Sequence, residues 1–309
     1  MMKKFCKKIL LLTLLTYAIS LILDIGISKF AQPRGEFSSW KDLYSNNINA
    51  DLLIFGSSRA MNHFNSHIIE DSLKISAYNL GLSSARIEIS LLRLLEHLRL
   101  CSKKPQYITL EIDWLTIDNE KFLWSPWQLF PYMLYNRNMY TYTHHFKGYN
   151  THYYLIPLAR YGKYYIDIFR NWNNTDVNNS DIERKGFVAF KSNWNPPKDI
   201  NNIEVSIHQE EIEYLYEFIK VCKSNNIKLN FVYAPEHIEA TKMVKGREKV
   251  IEYIKKISDE NGIPFADFSQ DSYCADTTYF FNKRHLNSKG ADKFTSEYYI
   301  PWIKELYGL

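Results

Sequence analysis

Short apolar runs alternate with longer segments whose apolar residues recur at helical spacing. The runs predict strands at 51–55, 76–80, 107–112, 228–234 and 263–268. The spaced segments predict helices near 66–73, 85–100, 208–224 and 240–260, and from Ser288 to about Leu306. Strands that alternate with amphipathic helices indicate a parallel sheet with right-handed crossovers. The pattern therefore predicts an α/β fold in which helices flank about five strands in a flavodoxin-like order.

The first 30 residues differ from the rest of the chain. Four lysines within the first eight residues precede a mainly apolar run from Ile9 to Ile27. This run is longer than the apolar region of a signal peptide, and no Ala-x-Ala cleavage site follows it, so residues 1–30 are predicted to be a membrane anchor. The lysines would remain in the cytoplasm, with residues 31–309 outside the membrane and Asp24 near its interface. Cleavage of the segment, which would release a secreted protein, is the alternative.

Two further segments interrupt the strand and helix pattern. Residues 31–50 contain Pro, Gly and Ser and are predicted to be a linker. Residues 114–205 are crowded with Trp, Tyr and Phe and are predicted to be a mainly helical insertion in a domain of residues 51–309. The rings either form a small core of the insertion itself or line a groove that stacks on sugar rings or holds a lipid-linked substrate.

Composition argues against several classes of partner. The net charge of +4 over 309 residues is small, and no long basic run lies beyond the N-terminus, so nucleic acid is not an expected partner. The four cysteines are scattered without a C-x-x-C pair or a His-Cys cluster, so no metal site is predicted. No cofactor is expected.

Candidate chemistry lies at the end of the first predicted strand. Four apolar residues from Leu52 to Phe55 run directly into Gly56-Ser57-Ser58. A serine just beyond a strand lies in the crevice where open α/β sheets bind ligands. A serine hydroxyl needs a base to take its proton, and His285, just before the last predicted helix, is the candidate.

Both ends of the domain resemble one family. The Gly56-x-Ser58 turn, Asn79-Leu80-Gly81 and His285-Leu286-Asn287-x-x-Gly290-Ala291 resemble motifs of the SGNH, or GDSL-like, hydrolases and acyltransferases, over about 51–112 and 228–305. The resemblance implies that Ser58 is the nucleophile, that His285 is the base, and that Ser57 stands where an acidic residue is common. It also implies an oxyanion hole formed by the N–H groups of Ser58 and Gly81, with the Asn79 side chain as an extra donor.

The chain departs from that family pattern at two places. Asn282 stands where the family has an aspartate, three residues before its histidine. Asn282 would then orient His285, as in Cys-His-Asn sites, or activity has been lost. Asp276 is a further carboxylate nearby in sequence.

The family's third block is replaced by Glu111-Ile112-Asp113, whose two carboxylates lie on one side of an extended strand. Arg59, Glu111, Asp113 and Glu236 are predicted to border the site as substrate contacts. Pairing of Arg59 with Glu111 or Asp113 is the alternative for those three residues.

Together these features predict a membrane-anchored, extracytoplasmic serine esterase or O-acyltransferase. By resemblance, its substrates would be acetyl-type esters of cell-envelope or exported polysaccharide, with a multi-spanning membrane protein supplying the acyl group. A catalytically degenerate scaffold or glycan-binding component of a polysaccharide assembly complex is the alternative.

Overall fold

A parallel sheet of five strands lies at the centre of the computed structural model, which describes residues 1–118, 121–162, 182–194 and 203–309. Its strands are Leu52–Phe55 (β1), Ala77–Asn79 (β2), Tyr107–Glu111 (β3), Lys228–Tyr233 (β4) and Phe265–Asp267 (β5). They lie in the order β2-β1-β3-β4-β5, and each neighbouring pair is parallel. This is the flavodoxin-like order, so the predicted fold class is confirmed.

The continuous apolar sequence of β1 reflects burial on both faces of the sheet. Leu53 and Phe55 pack into one hydrophobic cluster, whereas Leu52 and Ile54 pack into the cluster on the other side. Successive side chains point to opposite faces of a strand, and helices cover both faces of this sheet. The carboxyl end of β1 therefore emerges at the crevice between two packed layers.

The predicted helices of the domain are all present, and two of them differ in detail. The helices of the described residues are Met2–Phe30 (α1), Ser39–Tyr44 (α2), Ser58–His63 (α3), Ser66–Leu73 (α4), Ile87–Leu100 (α5), Phe130–Met133 (α6), Arg137–Thr143 (α7), His152–Leu155 (α8), Gln209–Ser224 (α9), Ile238–Met243 (α10), Arg247–Asn261 (α11), Ser288–Lys293 (α12) and Ile300–Tyr307 (α13). The segment predicted as one helix over 240–260 is divided into α10 and α11, because Gly246 has a φ of +86°. The C-terminal helix passes through a π-helical turn, Phe294–Tyr299, just before Pro301, which has no N–H to donate.

Short elements near the crevice were not predicted from the sequence. Helix α3 begins at Ser58 itself, and two antiparallel hairpins pair Ile182–Arg184 with Phe187–Ala189 and Phe280–Asn282 with His285–Leu286. A further short pair joins Ile203–Glu204 to Val244–Lys245. These elements are too short to show a periodic pattern in the sequence.

The prediction that residues 31–50 are a linker is wrong in one respect. The segment connects α1 to β1, but Phe37, Trp40, Leu43 and Ile48 are buried in the main hydrophobic cluster. The Trp40 indole also donates a 2.8 Å hydrogen bond to Gln128 Oε1. The apolar residues at 37, 40 and 43 already have helical spacing, which the Pro, Gly and Ser content obscured.

Most aromatic rings of the described insertion belong to the main core. Helices α6 to α8 confirm helical structure within residues 121–162. The buried aromatic residues of this segment join the same cluster as the sheet: Phe130, Tyr142, Phe146, Tyr149, Tyr153, Tyr154 and Tyr161. The insertion therefore has no separate small core there, and these rings face protein instead of a groove.

Helix α1 is long and apolar enough to cross a membrane. Its buried residues are Asp24 and Ser28. The Asp24 carboxylate is held inside the protein, where it lies 2.6 Å from the guanidinium of Arg160 in the insertion. The charge near the end of the apolar run is thus neutralised within the protein.

Candidate active site

The turn Gly56-Ser57-Ser58, which carries the predicted nucleophile and is called the nucleophile turn below, connects β1 directly to α3. Gly56 has a φ of +141°, and a Cβ there would lie 2.7 Å from the Glu111 carbonyl oxygen, so glycine is required. Ser57 caps α3 because its Oγ accepts the Arg59 N–H at 3.2 Å. Ser58 is therefore the first helical residue and remains half-buried at the mouth of the crevice.

His285, the predicted general base, is held by a hairpin that ends at the start of α12. Asn282 Oδ1 accepts the backbone N–H groups of Arg284 and His285, both at 2.9 Å, which closes the turn of the hairpin. Leu286 donates its N–H to the buried His63 Nε2 at 3.1 Å. These bonds fix the backbone on both sides of the His285 ring.

Ser58, His285 and Asn282 form one hydrogen-bonded chain. Ser58 Oγ lies 2.7 Å from His285 Nε2, and His285 Nδ1 lies 3.0 Å from Asn282 Oδ1. Since Asn282 Oδ1 already accepts two backbone N–H groups, it acts as an acceptor toward His285 as well. His285 Nδ1 therefore carries the proton, and Nε2 is left free to accept the proton of Ser58. This is the tautomer that a general base requires.

Asp276 takes no part in this chain of hydrogen bonds. Its carboxylate is exposed and caps the following short helical turn by accepting the Thr278 N–H at 2.9 Å. Asn282 thus stands as the orienting partner of His285.

The environment of His285 favours the neutral imidazole. Desolvation, followed by the positive charges of Arg284 and Arg59, lowers the pKa of His285 to about 3, and Asp113 opposes the shift. The imidazole is consequently an available proton acceptor throughout the physiological pH range. A depressed pKa also makes the imidazolium formed during proton transfer less stable.

The Arg59 side chain is fully buried in a cluster of charges. Its guanidinium lies 3.1 Å from Asp113 and 3.5 Å from both Glu111 and Glu236, and all four side chains are fully buried. The prediction that these residues contact substrate is wrong, because the four side chains bind one another. Arg59 instead pairs with Glu111, the last residue of β3, and with Asp113, two residues beyond it, as in the alternative given above. Glu111 and Asp113 do face the same side, as the strand periodicity predicted.

A second arginine completes this cluster from α11. Arg247 binds Glu236 at 2.7 Å, and the guanidinium groups of Arg59 and Arg247 lie 4.7 and 4.9 Å from the centre of the Tyr233 ring. Burial and the nearby Asp113 raise the pKa of Glu111 to about 8. The cluster ties the nucleophile turn to the ends of β3 and β4 and to α11.

Two predicted oxyanion donors are engaged elsewhere. The Asn79 amide donates to the carbonyls of Ala60 at 2.7 Å and Phe64 at 3.0 Å, while its Oδ1 accepts the Gly81 N–H at 2.9 Å. Asn79 therefore joins β2 to α3 instead of facing the crevice. The predictions for Asn79 and Gly81 are wrong for this conformation, because an Asx-type turn uses both groups.

Sequence reasoning missed two cationic or basic neighbours of His285. Arg284 lies over the Trp114 ring at 4.6 Å and 3.8 Å from Asp113, and its Nε and Nη2 are buried without a hydrogen-bond partner in the described part of the chain. His63 is fully buried and supports the hairpin by accepting the Leu286 N–H. In the sequence, the signal that Arg284 lies near the site was its position directly before His285.

The end of the insertion returns to the crevice and lies against His285. The Phe190 ring stacks on Phe281 with ring centres 4.1 Å apart and meets the His285 ring edge-to-face at 6.0 Å. Its carbonyl accepts the Ser288 N–H at 2.6 Å. Phe190 and Phe281 are only partly buried, so they provide an apolar wall beside His285.

No protein-family model and no curated protein matches this chain. Among solved structures, it is similar to one assigned as an acylhydrolase from Bacteroides fragilis, with 13% identity, a TM-score of 0.45, and coverage of 89% of this chain and 99% of that one. A GDSL-like lipase from Bacteroides thetaiotaomicron matches with 12% identity, a TM-score of 0.44, and coverage of 88% and 99%. A protein assigned to the lipolytic G-D-S-L family from Desulfitobacterium hafniense matches with 11% identity, a TM-score of 0.37, and coverage of 81% and 97%.

Proposed function

We propose that this protein is a serine esterase or O-acyltransferase in which Ser58 is transiently acylated. The observation that carries the proposal is the hydrogen-bonded chain from Ser58 through His285 to Asn282. A weak hydroxyl nucleophile, a base within hydrogen-bond reach and a third group that orients the base are the parts that acyl transfer needs.

The geometry supports a two-step reaction. Ser58 Oγ attacks the acyl carbonyl carbon while His285 Nε2 takes the hydroxyl proton, and the tetrahedral intermediate collapses as His285 returns that proton to the leaving alcohol. Water or an acceptor hydroxyl then attacks the acyl-Ser58 ester, with His285 again taking and returning one proton. Hydrolysis and transfer differ only in which hydroxyl enters this second step.

The oxyanion of the intermediate lies near the start of α3 in this mechanism. As the first residue of that helix, Ser58 has an N–H without an intrahelical acceptor, and this group is available to the developing negative charge. Arg284 supplies a cation with unused donors in the same region. Gly81 would contribute only if its bond to Asn79 opened.

The finer proposal concerns location and substrate. A helix able to span a membrane, with lysines at its N-terminal end, supports anchoring with the catalytic domain outside the cytoplasm. The family resemblance supports acetyl-type esters of cell-envelope or exported polysaccharide as substrates. It also supports a multi-spanning membrane protein as the acyl donor.

Covalent labelling tests the nucleophile directly. The full-length chain in detergent is treated with a fluorophosphonate probe and analysed by intact mass, because residues of α1 and of 31–50 pack against the domain. One adduct is expected, and Ser58→Ala and His285→Ala should each abolish it. Ser296→Ala is the control, since it removes an exposed serine hydroxyl on the C-terminal helical segment and should leave the adduct intact.

A second candidate function is a non-catalytic glycan-binding scaffold. The uncharged Asn282 beside His285 and the engaged Gly81 N–H favour it. If the folded wild-type chain forms no adduct while a serine hydrolase control does, the catalytic proposal fails. Binding of acetylated and de-acetylated polysaccharide by the same chain then tests the scaffold.

A further inference from the structure

The insertion packs along the apolar part of α1 through several polar contacts. Arg160 donates to both oxygens of the Asp24 carboxylate, at 2.8 and 2.6 Å, and Asp24 also accepts the Leu158 N–H at 2.7 Å. Farther toward the N-terminus, the Tyr17 hydroxyl contacts the Tyr135 hydroxyl. The insertion therefore follows α1 from Asp24 to Tyr17, which is about 10 Å along the helix axis at 1.5 Å per residue.

Large apolar side chains are exposed on the insertion at the same level. Tyr135, Leu155 and Ile156 are 53%, 56% and 55% exposed, and together they are called the α1-side patch below. The Tyr135 N–H donates to the carbonyl of Tyr154 at 2.9 Å, which holds Tyr135 beside Leu155. The patch also lies close in sequence to Leu158, which binds Asp24. It is therefore continuous with the exposed apolar surface of α1.

The position of the patch relative to a bilayer follows from α1. The 20 residues between Lys8 and Lys29 contain one charged residue, Asp24, and a helix of that length spans the hydrocarbon core of about 30 Å. Both Asp24 and Tyr17 then lie within this core. Asp24 lies in the half nearer the domain, and Tyr17 lies close to the middle. Asp24 and Arg160 are almost fully buried against each other, which removes the cost of isolated charges at that depth.

We propose that Tyr135, Leu155 and Ile156 insert among the lipid acyl chains of the leaflet on the side of the domain. Lipid is favoured as the occupant because the patch continues the surface of a helix whose own exposed side chains require hydrocarbon. Its aromatic and aliphatic composition is also typical of segments that lie in a membrane interface. The insertion is then a second membrane contact, which fixes the orientation of the crevice above the bilayer. This inference depends on α1 spanning the membrane, which is part of the proposed function.

Site-specific fluorescence in liposomes tests the proposal. The full chain carrying Cys6→Ser and Cys101→Ser receives one cysteine for an environment-sensitive fluorophore, at Ile156→Cys or, as a second site, Leu155→Cys. Leu14→Cys in the exposed face of α1 reports the membrane span, and Lys255→Cys on the exposed side of α11 is the aqueous control. Each label is tested with lipids carrying nitroxides on their acyl chains and with aqueous iodide.

We expect labels at 155, 156 and 14 to be quenched by the lipid nitroxides and protected from iodide, with the label at 255 showing the reverse. The inference is overturned if the label at 14 behaves as membrane-embedded while those at 155 and 156 are quenched by iodide. If the label at 14 is itself open to iodide, the membrane span fails and the inference fails with it. Fluorophosphonate labelling of Ser58 in detergent depends on neither result, so the catalytic proposal is tested separately.

Discussion

Asn282→Asp is the substitution that most directly tests how the histidine is controlled. The new side chain keeps an oxygen that can accept from the N–H groups of Arg284 and His285 and from His285 Nδ1, so the turn should be preserved. The substitution adds a full negative charge within hydrogen-bond distance of the imidazole. The variant therefore changes the electrostatics of His285 with little change in its geometry.

The size of the effect follows from Coulomb's law. Two unit charges about 4 Å apart attract by about 4 kcal/mol at an effective dielectric constant of about 20. At about 1.36 kcal/mol per pKa unit, this attraction corresponds to a rise of about three units. The pKa of His285 should thus move from about 3 to about 6.

The assay is the pH dependence of the fluorophosphonate labelling rate. In the wild type, labelling should persist well below pH 6.5, because the imidazole is neutral there. The labelling rate falls below the pH at which His285 becomes protonated, and this decrease is called the acid limb. In Asn282→Asp, the midpoint of the acid limb should move to higher pH by about three units. Above it, labelling should be about ten- to hundredfold faster, since a base with a pKa nearer to neutrality transfers protons better.

Asp276→Asn is the matched control for this experiment. It changes a carboxylate in the same segment that caps a helical turn and makes no contact with His285, so its profile should match that of the wild type. An unchanged acid limb in Asn282→Asp would refute the reasoning. It would show that Asn282 does not contact the His285 ring in solution.

Three further predictions follow from the surroundings of the site. Arg59→Met leaves the buried Asp113 and Glu236 carboxylates without their shared cation and should destabilise the fold by about 3–5 kcal/mol, measured by urea unfolding. Lys255→Met removes one partner of an exposed ion pair with Asp259 and should have little effect, and equal losses would contradict the buried cluster. Arg284→Gln removes a positive charge that lowers the pKa of His285, so the midpoint of the acid limb of labelling should move to higher pH. An unchanged midpoint would show that Arg284 does not influence the pKa of His285. Gly186→Ala places a Cβ 1.8 Å from a β2 carbonyl at a φ of +77° and should lower the melting temperature, corresponding to about 1–3 kcal/mol, whereas full wild-type stability would contradict the hairpin's placement.

The sheet and most long helices were predictable because their patterns repeat over many residues. Four consecutive apolar residues in β1 indicate burial on both faces, and the spacing over 66–73 gave the observed bounds of α4. Ser58 and His285 were also found from their positions beyond predicted elements. What joined them was the parallel topology, which brings segments 227 residues apart to one edge of the sheet.

The remainder of the site depends on side-chain directions that the sequence does not encode locally. Nothing in the pattern around Asn79 shows that its amide turns toward α3 and occupies the Gly81 N–H. The burial of Arg59 likewise required three carboxylates from β3 and from the segment after β4 to converge on it. Such contacts arise only when the whole sheet is assembled.

The two departures from the family pattern are connected through charge. Asn282 orients His285 without a negative charge, whereas Asp113, in the segment that replaces the third block, lies fully buried 3.1 Å from Arg59. Asp113 is also the group that raises the pKa of His285 against its cationic neighbours. The Asp113 carboxylate therefore places a negative charge near the imidazolium. This charge is buried and is largely neutralised by Arg59. A site built in this way keeps the histidine neutral between turnovers and gives the imidazolium only weak support, so its acyl transfer should be slower than that of a site with a carboxylate at position 282.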